Sequence, residues 1–261
     1  MSPTRDTSST GDLSTSIFYD LLAPHYDAMT GFEKRFEKET PLFRELVRRY
    51  KINDALDAGC GSGFHSILLS QLGVHVTAVD CSEEMVRLAA ANAKAHHTEI
   101  NVFQKAFHEI PAEWSRSFDA VFVMGNSLPH LLTDAELRTA LQHLMGVLRP
   151  GGVLIAQCLN YERVLARKER ILNIKSVEGV KITREYEYLP DGIRFSIVTE
   201  HEKKSPTPAA RATVRLRPLQ KADISSVLNE LGASVEFHGD IALAPFHLAE
   251  SVDLVFVATR S

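Results

Sequence analysis

The sequence predicts an α/β fold in which a doubly wound, seven-stranded sheet carries a small antiparallel β insert after its fifth strand. Two observations support this prediction. A short apolar segment runs into a glycine-rich turn, then a helical segment, and then a second apolar segment that ends in Asp80. Farther along, two segments of alternating polarity flank the turn-forming run Pro190-Asp191-Gly192, which is typical of a β-hairpin.

The first of these features describes a βαβ unit that binds a nucleoside. Its turn is Asp57-Ala58-Gly59-Cys60-Gly61-Ser62-Gly63, and Asp80 follows Gly59 by 21 residues. Glycine adopts positive φ without strain and lets a ligand lie against the backbone, at the positive end of the next helix. An acid that ends the second strand has the reach to accept hydrogen bonds from both ribose hydroxyls.

The identity of the ligand is indicated by two departures from a dinucleotide site. Phe64 stands where the third glycine of a dinucleotide fingerprint belongs, and Asp57 is poorly placed to face a phosphate. An acid there suits a cationic, zwitterionic ligand. These residues resemble the first motif of the class I S-adenosylmethionine-dependent methyltransferases, in which Asp80 would be the ribose-binding acid. The resemblance implies a Rossmann-like methyltransferase sheet and S-adenosyl-L-methionine as the cofactor.

The remaining elements are predicted from helix signals and apolar runs. Pro41 after Thr40 indicates a first-turn proline of the helix before the first strand. Ser82 is typical of an N-cap, and Thr133 begins a capping box for a helix that Arg149-Pro150-Gly151-Gly152 would end. Predicted sheet strands are 55–58, 76–80, 100–104, 120–124, 153–159, 234–237 and 252–258, with further helices at 64–72 and 224–231; the insert strands are 180–189, 193–201 and 211–217.

The chain has 261 residues and 44% hydrophobic content, enough to bury one full core. We expect residues 1–16, mostly Ser and Thr, to form a disordered tail, and residues 17–261 to form one methyltransferase domain. Within this domain, residues 173–217 form a segment that the minimal fold does not require. An insert after the fifth strand lies over the carboxyl-end crevice of such a sheet, so we expect it to cover the substrate as a lid.

Composition narrows the classes of partner. Lys and Arg number 29 against 33 Asp and Glu, a formal charge of −4 without a basic run, which argues against nucleic acid. Three cysteines without a disulfide pattern favour a cytoplasmic location. No apolar run reaches the roughly 18 residues of a membrane span, and no ligand spacing predicts a metal. The expected partner is a small-molecule acceptor, with a homo-oligomer left open.

A second motif narrows the resemblance. The run Gly125-Asn126-Ser127-Leu128-Pro129-His130, with Asn160-Tyr161 after the fifth strand, is similar to the glycine and sarcosine N-methyltransferases, which carry Gly-Asn-Ser-x-x-His-Leu and Asn-Tyr at these places. That branch has an arginine before its Asn-Tyr pair to hold the amino-acid carboxylate, and here the position is Leu159. Glycine is therefore a poor candidate substrate, and we expect a less polar acceptor or one that is bound elsewhere.

The resemblance and the strand ends together give a set of candidate site residues. Asn126 and His130 are the candidate catalytic residues, and methyl transfer needs no covalent nucleophile because positioning supplies much of the rate. Expected cofactor contacts are Tyr26 and Arg35 at the methionine carboxylate, Asp57, Gly59, Cys60 and Gly61 in the loop, Asp80 at the ribose, Cys81, Met85, Ala106 and Phe107 at the adenine, and Met124; expected acceptor contacts are Asn126, His130, Leu159, Asn160, Tyr161, Arg184 and Tyr186.

Several alternatives stay open at this point. His130 suits a general base in an O-methyltransferase, or it anchors the loop. Arg184 shares a strand face with apolar neighbours, which fits either an acceptor clamp or an edge charge whose stem covers the sheet. Phe107 fits an adenine contact or plain core. An NAD-dependent oxidoreductase is disfavoured by Phe64, whereas a non-catalytic module that binds S-adenosylmethionine is compatible with the sequence.

Overall fold

The computed structural model of the protein describes residues 12–177, 179–201 and 210–261. Its helices are α1 (Thr15–Thr30), α2 (Phe32–Tyr50), α3 (Phe64–Gln71), α4 (Glu83–Ala95), α5 (Asp134–Gly146), α6 (Tyr161–Arg167) and α7 (Lys221–Glu230). Its strands are β1 (Asp54–Ala58), β2 (His75–Asp80), β3 (Asn101–Gln104), β4 (Phe118–Val123), β5 (Leu148–Leu159), β6 (Ile171–Val177), β7 (Val180–Leu189), β8 (Gly192–His201), β9 (Ala210–Leu216), β10 (Ser234–His238) and β11 (Asp253–Thr259).

The predicted seven-stranded sheet is confirmed, with the order β10-β11-β5-β4-β1-β2-β3. Strands β5, β4, β1, β2 and β3 are parallel, whereas β11 is antiparallel to both of its neighbours. The strand order reverses between β1 and β4, and open α/β sheets bind ligands outside the carboxyl ends of the strands at such a point. The topology alone therefore places a ligand crevice beside the glycine-rich turn.

Helices cover both faces of this sheet. One face packs on α2, α3 and α4 through Phe43, Ile67, Leu68 and Ala93, and the other packs on α5 and α7. Strand β4 has only Asp119 incompletely buried, as expected for a parallel strand between two helical layers. Burial on both faces makes the sheet a rigid base for the loops at its carboxyl edge.

The amino-terminal region differs from the sequence prediction. Helix α2 begins at Phe32, so Pro41 lies inside it and does not start it, and α1 is a further helix that the sequence analysis left unassigned. Ser14 caps α1, so the predicted tail of residues 1–16 overlaps a helix at its end; residues 1–11 lie outside the described part. The helix tolerates Pro41 because burial of Phe32, Phe43 and Leu46 stabilises both of its halves.

Two helix caps agree with the prediction, and one helix end does not. Ser82 accepts a hydrogen bond from Met85 N, and Thr133 with Glu136 forms the predicted capping box. Helix α5, however, ends at Gly146, and the run Arg149-Pro150-Gly151-Gly152 belongs to β5. The register of β4 against β5 shifts between Phe118 and Ala120, and that irregularity absorbs the extra residues.

The insert is an antiparallel sheet with the order β6-β7-β8-β9. The hairpin of β7 and β8 and the third strand β9 match the predicted strands, whereas the edge strand β6 and the helix α6 were not predicted. The proline-containing loop before β9 lies outside the described residues.

Within the described ranges, no helix is long and apolar enough to cross a membrane. A search of the same residues for clusters of three or more His, Cys, Asp or Glu that could hold a metal ion found none.

Candidate functional site

A cavity of about 590 Å³ opens at the carboxyl ends of the central strands. Its walls come from α1, the glycine-rich turn after β1, the ends of β2 and β3, the loop after β4 and the first half of α5. Among the residues predicted for the site, those that line the cavity are Tyr26, Gly59, Gly61, Asp80, Cys81, Ala106, Phe107, Met124 and His130. The cavity therefore lies where the strand order places a ligand crevice.

The glycine-rich turn forms the floor of the cavity. Gly59 and Gly61 have φ values of 75° and 54°. A Cβ atom on Gly59 would lie 2.9 Å from Ser127 Oγ, and one on Gly61 would lie 3.3 Å from the Tyr26 hydroxyl oxygen. Both positions therefore require glycine, for conformation and for space, and they leave backbone exposed to a ligand.

Asp80 borders this floor and is only 8% exposed. Its Oδ2 accepts a hydrogen bond from Gly61 N at 2.8 Å, and its Oδ1 accepts one from Ser82 N at 2.9 Å. Burial raises the pKa of Asp80 to about 6, against the effect of these two backbone hydrogen bonds. Each oxygen retains a lone pair, so the carboxylate can accept hydrogen bonds from two hydroxyl groups of a ligand.

Asp57 and Cys60 belong to the turn but do not line the cavity. The Asp57 side chain is 1% exposed, and its Oδ2 accepts a hydrogen bond from Ser66 Oγ at 2.5 Å. This contact ties β1 to α3 behind the loop, and burial raises the pKa of Asp57. Cys60 is 7% exposed and packs with Ala78 and Ala89.

Arg35 also lies outside the residues that line the cavity. Its Nε donates to Glu39 Oε1 at 2.7 Å, its Nη2 lies 3.0 Å from His65 Nε2, and its guanidinium covers the Phe64 ring at 3.9 Å. Burial raises the pKa of Glu39, but hydrogen bonds from His65 and Arg35 outweigh it and lower the pKa to about 2. Arg35 still has an electrostatic effect on one cavity residue, because its positive charge opposes the rise in the pKa of Tyr26 that burial causes.

Of the residues predicted to contact the adenine, some line the cavity and one does not. Cys81, Ala106 and Phe107 line the cavity, and Phe107 approaches the turn at Gly59. Met85 is fully buried, and its backbone N–H is bound by Ser82 in the first turn of α4. Phe107 therefore presents a ring to the cavity and also packs against the core cluster below it.

His130 is held by a tyrosine that the sequence analysis did not single out. The Tyr19 hydroxyl oxygen lies 3.0 Å from His130 Nε2, and the two rings meet edge to face. His130 Nδ1 is buried without a hydrogen-bond partner among the described residues. Burial lowers the pKa of His130 to about 4, so the imidazole is neutral at physiological pH.

Hydrogen bonds join Asn126 to Leu159 and Tyr161 beside the cavity, and neither these three residues nor Asn160 line it. Asn126 has a φ of 69°; its Oδ1 accepts from Leu159 N at 2.9 Å and its Nδ2 donates to the Tyr161 hydroxyl at 3.0 Å. Asn160 uses its Nδ2 on Leu248 O and Ser251 O. Asn160 therefore fixes the chain after β5 to the loop before β11, whereas Asn126 and Tyr161 order the loop after β4.

Arg184 and Tyr186 lie on the insert sheet, outside the cavity lining. Tyr186 is 3% exposed and packs with Tyr161, Ile193 and Leu216. Burial raises the pKa of Tyr186 to about 12, while its hydrogen bond with Tyr161 and the charge of Arg184 act in the opposite direction. The two residues share the predicted strand face, and that face points inward.

The sequence analysis predicted Tyr26 but missed the other cavity residues on α1, which are Thr15, Ser16 and Tyr19. Helix α1 is fixed over the cavity by Asp20, whose Oδ1 accepts from Ser82 Oγ at 2.6 Å and from Glu84 N at 3.2 Å. The available signal was the N-cap Ser14 followed by Phe18 and Leu22 at helical spacing, which Pro24 obscured. It also missed the α5 face, where Ala135, Thr139 and Ala140 line the cavity.

Comparison with protein families places a methyltransferase domain over residues 55–152, from β1 into β5. The chain is 27% identical over 217 residues to a glycine/sarcosine N-methyltransferase of Aphanothece halophytica, an alignment that covers 82% of this chain and 79% of that protein. These matches include the glycine-rich turn, Asp80 and the loop after β4.

Solved structures share the fold at lower identity. An S-adenosylmethionine-dependent methyltransferase from Clostridium acetobutylicum superposes with a TM-score of 0.78 at 16% identity, over 93% of this chain and 99% of its own. The sugar N-methyltransferase KedS8 from Streptoalloteichus sp. superposes with a TM-score of 0.67 at 20% identity, over 100% of this chain and 99% of its own. Both alignments extend beyond the family match to include most of the chain.

Proposed function

We propose that this chain is a class I S-adenosylmethionine-dependent methyltransferase that methylates a nitrogen atom of a small-molecule acceptor. The relatives support the choice of nitrogen, since they include a glycine/sarcosine N-methyltransferase and a sugar N-methyltransferase. The chemistry of the cavity supports it independently, through the state of His130.

The cavity residues fit the cofactor. Gly59 and Gly61 leave a floor that a Cβ would fill, and Asp80 offers a buried carboxylate for the ribose hydroxyls. We assign the adenine to Cys81 and Phe107. The methionine end is assigned to Tyr26, a neutral donor whose pKa burial raises to about 12, with the positive charge of Arg35 behind it. The bound cofactor supplies a methyl group that its sulfonium already activates.

The protein has mainly to position the acceptor and exclude water. Tyr19 and Tyr26 on α1 close one wall of the cavity, and the ordered loop Met124 to Ser127 forms another. Two consecutive left-handed residues, Gly125 and Asn126, give that loop its shape, and the bonds of Asn126 to Leu159 N and Tyr161 maintain it. Such fixed placement of the reacting groups accounts for a large part of the rate in displacement reactions.

The observation in the cavity that supports nitrogen over oxygen is the environment of His130. A hydroxyl acceptor needs its proton removed as the bond forms, and a general base works best with a pKa near the working pH. Burial lowers the pKa of His130 to about 4, and its Nε2 is already engaged by Tyr19. His130 is therefore a weak base and is better suited to orient an acceptor. An amine needs no base once it carries a free lone pair.

The pH dependence of the reaction tests this proposal. For a set of amine acceptors, kcat/KM should rise with pH and level off near the pKa of each free amine, so that the inflection moves from one acceptor to the next. Mass spectrometry of the product should locate the methyl group on nitrogen. An inflection that stays the same for every acceptor and disappears in His130→Gln, or a product methylated on oxygen, would favour the O-methyltransferase instead.

A further inference from the structure

The inner face of the insert sheet has two apolar ends and a polar middle. On β7 this face presents, in order, Val180, Ile182, Arg184, Tyr186 and Tyr188. Helix α1 covers the first end, where Phe18, Leu22 and Met29 pack with Val180 and Ile182. Tyr161 of α6 covers the other end with Tyr186. Arg184 therefore lies between the part of this face that α1 covers and the part that α6 covers.

Arg184 has no bound partner in the described part of the chain. Its Nε is buried without a hydrogen bond, and no ion pair joins it to a carboxylate. The arginines of the neighbouring strands β8 and β9, in contrast, all form ion pairs: Arg194 with Asp12 and Glu187, Arg211 with Glu185, and Arg215 with Asp191. A guanidinium with a buried, unused N–H is costly in a folded protein unless a ligand satisfies it.

A second unsatisfied polar group faces the same place. Asn173 on β6 is the direct cross-strand partner of Arg184, so the two side chains share one face of the sheet. Asn173 Oδ1 is also buried without a hydrogen bond. The amide can turn either its oxygen or its NH₂ toward a ligand. Two neighbouring strands thus present unused hydrogen-bonding groups at one point.

One electrostatic effect and two hydrogen bonds connect this point to the loop after β4. The charge of Arg184 acts on Tyr186, Tyr186 is hydrogen-bonded to Tyr161, and Tyr161 receives a hydrogen bond from Asn126. Asn126 adjoins Gly125, which lines the cavity. Leu159, by contrast, packs against the apolar cluster around Tyr161 and offers no hydrogen bond from its side chain.

We propose that Arg184 and Asn173 bind an oxyanion of the acceptor, so that the acceptor is an amine whose acidic group lies farther from its nitrogen than in glycine. This inference rests on the proposed N-methyltransferase function. A guanidinium binds a carboxylate or phosphate in a two-pronged arrangement that an ammonium cannot match. Placed on the insert sheet, it would grip the acceptor end remote from the methyl group and so determine which acceptors are used.

Binding to the full chain loaded with S-adenosylhomocysteine tests the anion site without requiring turnover. The probes are 4-aminobutyrate and 6-aminohexanoate, each with its primary amide, and O-phosphoethanolamine with ethanolamine. The parent protein should bind at least one acidic probe about tenfold more tightly than its partner without the acidic group, a ratio typical of one charge-assisted contact. Preference for the carboxylates or for the phosphate identifies the oxyanion.

Three variants separate this role from a structural one. Arg184→Gln should remove the preference for acids, leave binding of the partners without the acidic group within about twofold, and leave cofactor affinity unchanged, whereas Arg184→Lys should retain part of the preference. Arg194→Gln, on the outer face, is the matched control and should behave like the parent. The proposal is overturned if no acidic probe binds the parent better than its partner, or if Arg184→Gln weakens binding of the acids and of the partners without the acidic group equally.

The same variants give a separate result for the proposed function. Where a bound probe turns over, N-methylation supports both inferences. A preference for acids that Arg184→Gln removes, combined with methylation on oxygen, would retain the anion site and reject the N-methyltransferase.

Discussion

At the scale of single residues, Asp80 connects the shape of the glycine-rich turn to the proposed binding of the cofactor. Its two oxygens bind the backbone of Gly61 and Ser82, and the surrounding protein keeps water from the carboxylate. The same side chain thus holds the turn in position and faces the cavity. A substitution there affects both functions, so a control for folding is needed.

We expect Asp80→Ala to weaken binding of S-adenosylmethionine by about 1.5 to 3 kcal/mol, the contribution of a hydrogen bond to a charged group. Isothermal titration calorimetry measures this loss. Asp54→Ala, at the opposite end of β1, where the carboxylate pairs with Arg149, is the matched control and should leave the affinity unchanged. Equal affinity of Asp80→Ala and the parent would contradict the assigned role, provided that thermal unfolding shows both variants to be folded.

The pKa of Asp80 predicts how cofactor affinity depends on pH. Burial raises the pKa to about 6, so the free protein carries a carboxylate above pH 6 and a neutral carboxyl below it. The neutral form has lost its charge and one acceptor oxygen, and it binds the ribose hydroxyls less well. We expect the affinity to be constant from pH 8 to pH 7 and to fall as the pH decreases through 6.

Titrations at pH 5 to 8 check this prediction. His130 does not interfere in this range, because its pKa is about 4 and the ring stays neutral. In Asp80→Asn, which has no proton to gain, the decline should disappear. An affinity that stays constant down to pH 5 in the parent would mean that Asp80 ionises normally or does not bind the ribose.

At the scale of secondary-structure elements, the glycines of the turn have different tasks. Gly63 has a φ of 83° and lies at the start of α3, where a Cβ would meet the Ala89 Cβ at 2.9 Å and its Cα at 3.1 Å. This glycine sets the distance between α3 and α4. It does not line the cavity, unlike Gly59 and Gly61.

We expect Gly63→Ala to destabilise the protein more than Gly73→Ala. Both residues have positive φ, which costs an alanine roughly 1 to 2 kcal/mol, but a Cβ on Gly73 would meet nothing within 4 Å. The difference between the two variants therefore isolates the contact of α3 with α4, and overpacking of this kind costs about 1 to 3 kcal/mol more. Chemical denaturation measures both free energies of unfolding. Equal losses would show that α4 moves away at little cost.

Helix α1 shows how one element can belong to two parts of the molecule. Its apolar face packs on the insert sheet, while Tyr19 and Tyr26 face the cavity and Asp20 binds the start of α4. The insert is thus coupled to the cofactor site through α1. The sequence analysis expected the insert itself to cover the substrate; the described insert residues do not line the cavity, and α1 lies next to it instead.

At the scale of the whole molecule, two places are candidates for holding the acceptor: the end of β5, at Leu159, and the inner face of β7, at Arg184. Because Leu159 cannot bind a carboxylate, we expect negligible turnover of glycine and sarcosine. A coupled assay for S-adenosylhomocysteine, with 6-aminohexanoate assayed alongside, measures the rates. Rates on glycine that match those on the longer acid would show that the carboxylate is bound at the end of β5 after all.

The sequence by itself determined the cofactor class and the central βαβ unit. These depend on residues close together in the chain, where backbone geometry leaves few choices: Gly59 and Gly61 need positive φ, and Asp80 must end the next strand. The N-cap Ser82, the capping box that begins at Thr133 and the β7–β8 hairpin were also predicted, because the residues that form each of them are close together in the chain. Elements without such signals, such as α1 with its internal proline and the edge strand β6, were missed because burial against distant residues stabilises them.

Only the tertiary structure decided which candidates meet at one place. Asp57 and Met85 have the right sequence positions, but they point into the core, and Arg35 is bound to Glu39 and His65. Tyr19 approaches His130 from 111 residues away. The pKa of His130 depends on the side chains that bury it, and the unpaired state of Arg184 depends on which carboxylates lie within reach. Burial and long-range pairing are properties of the packed chain, and no local pattern in the sequence encodes them.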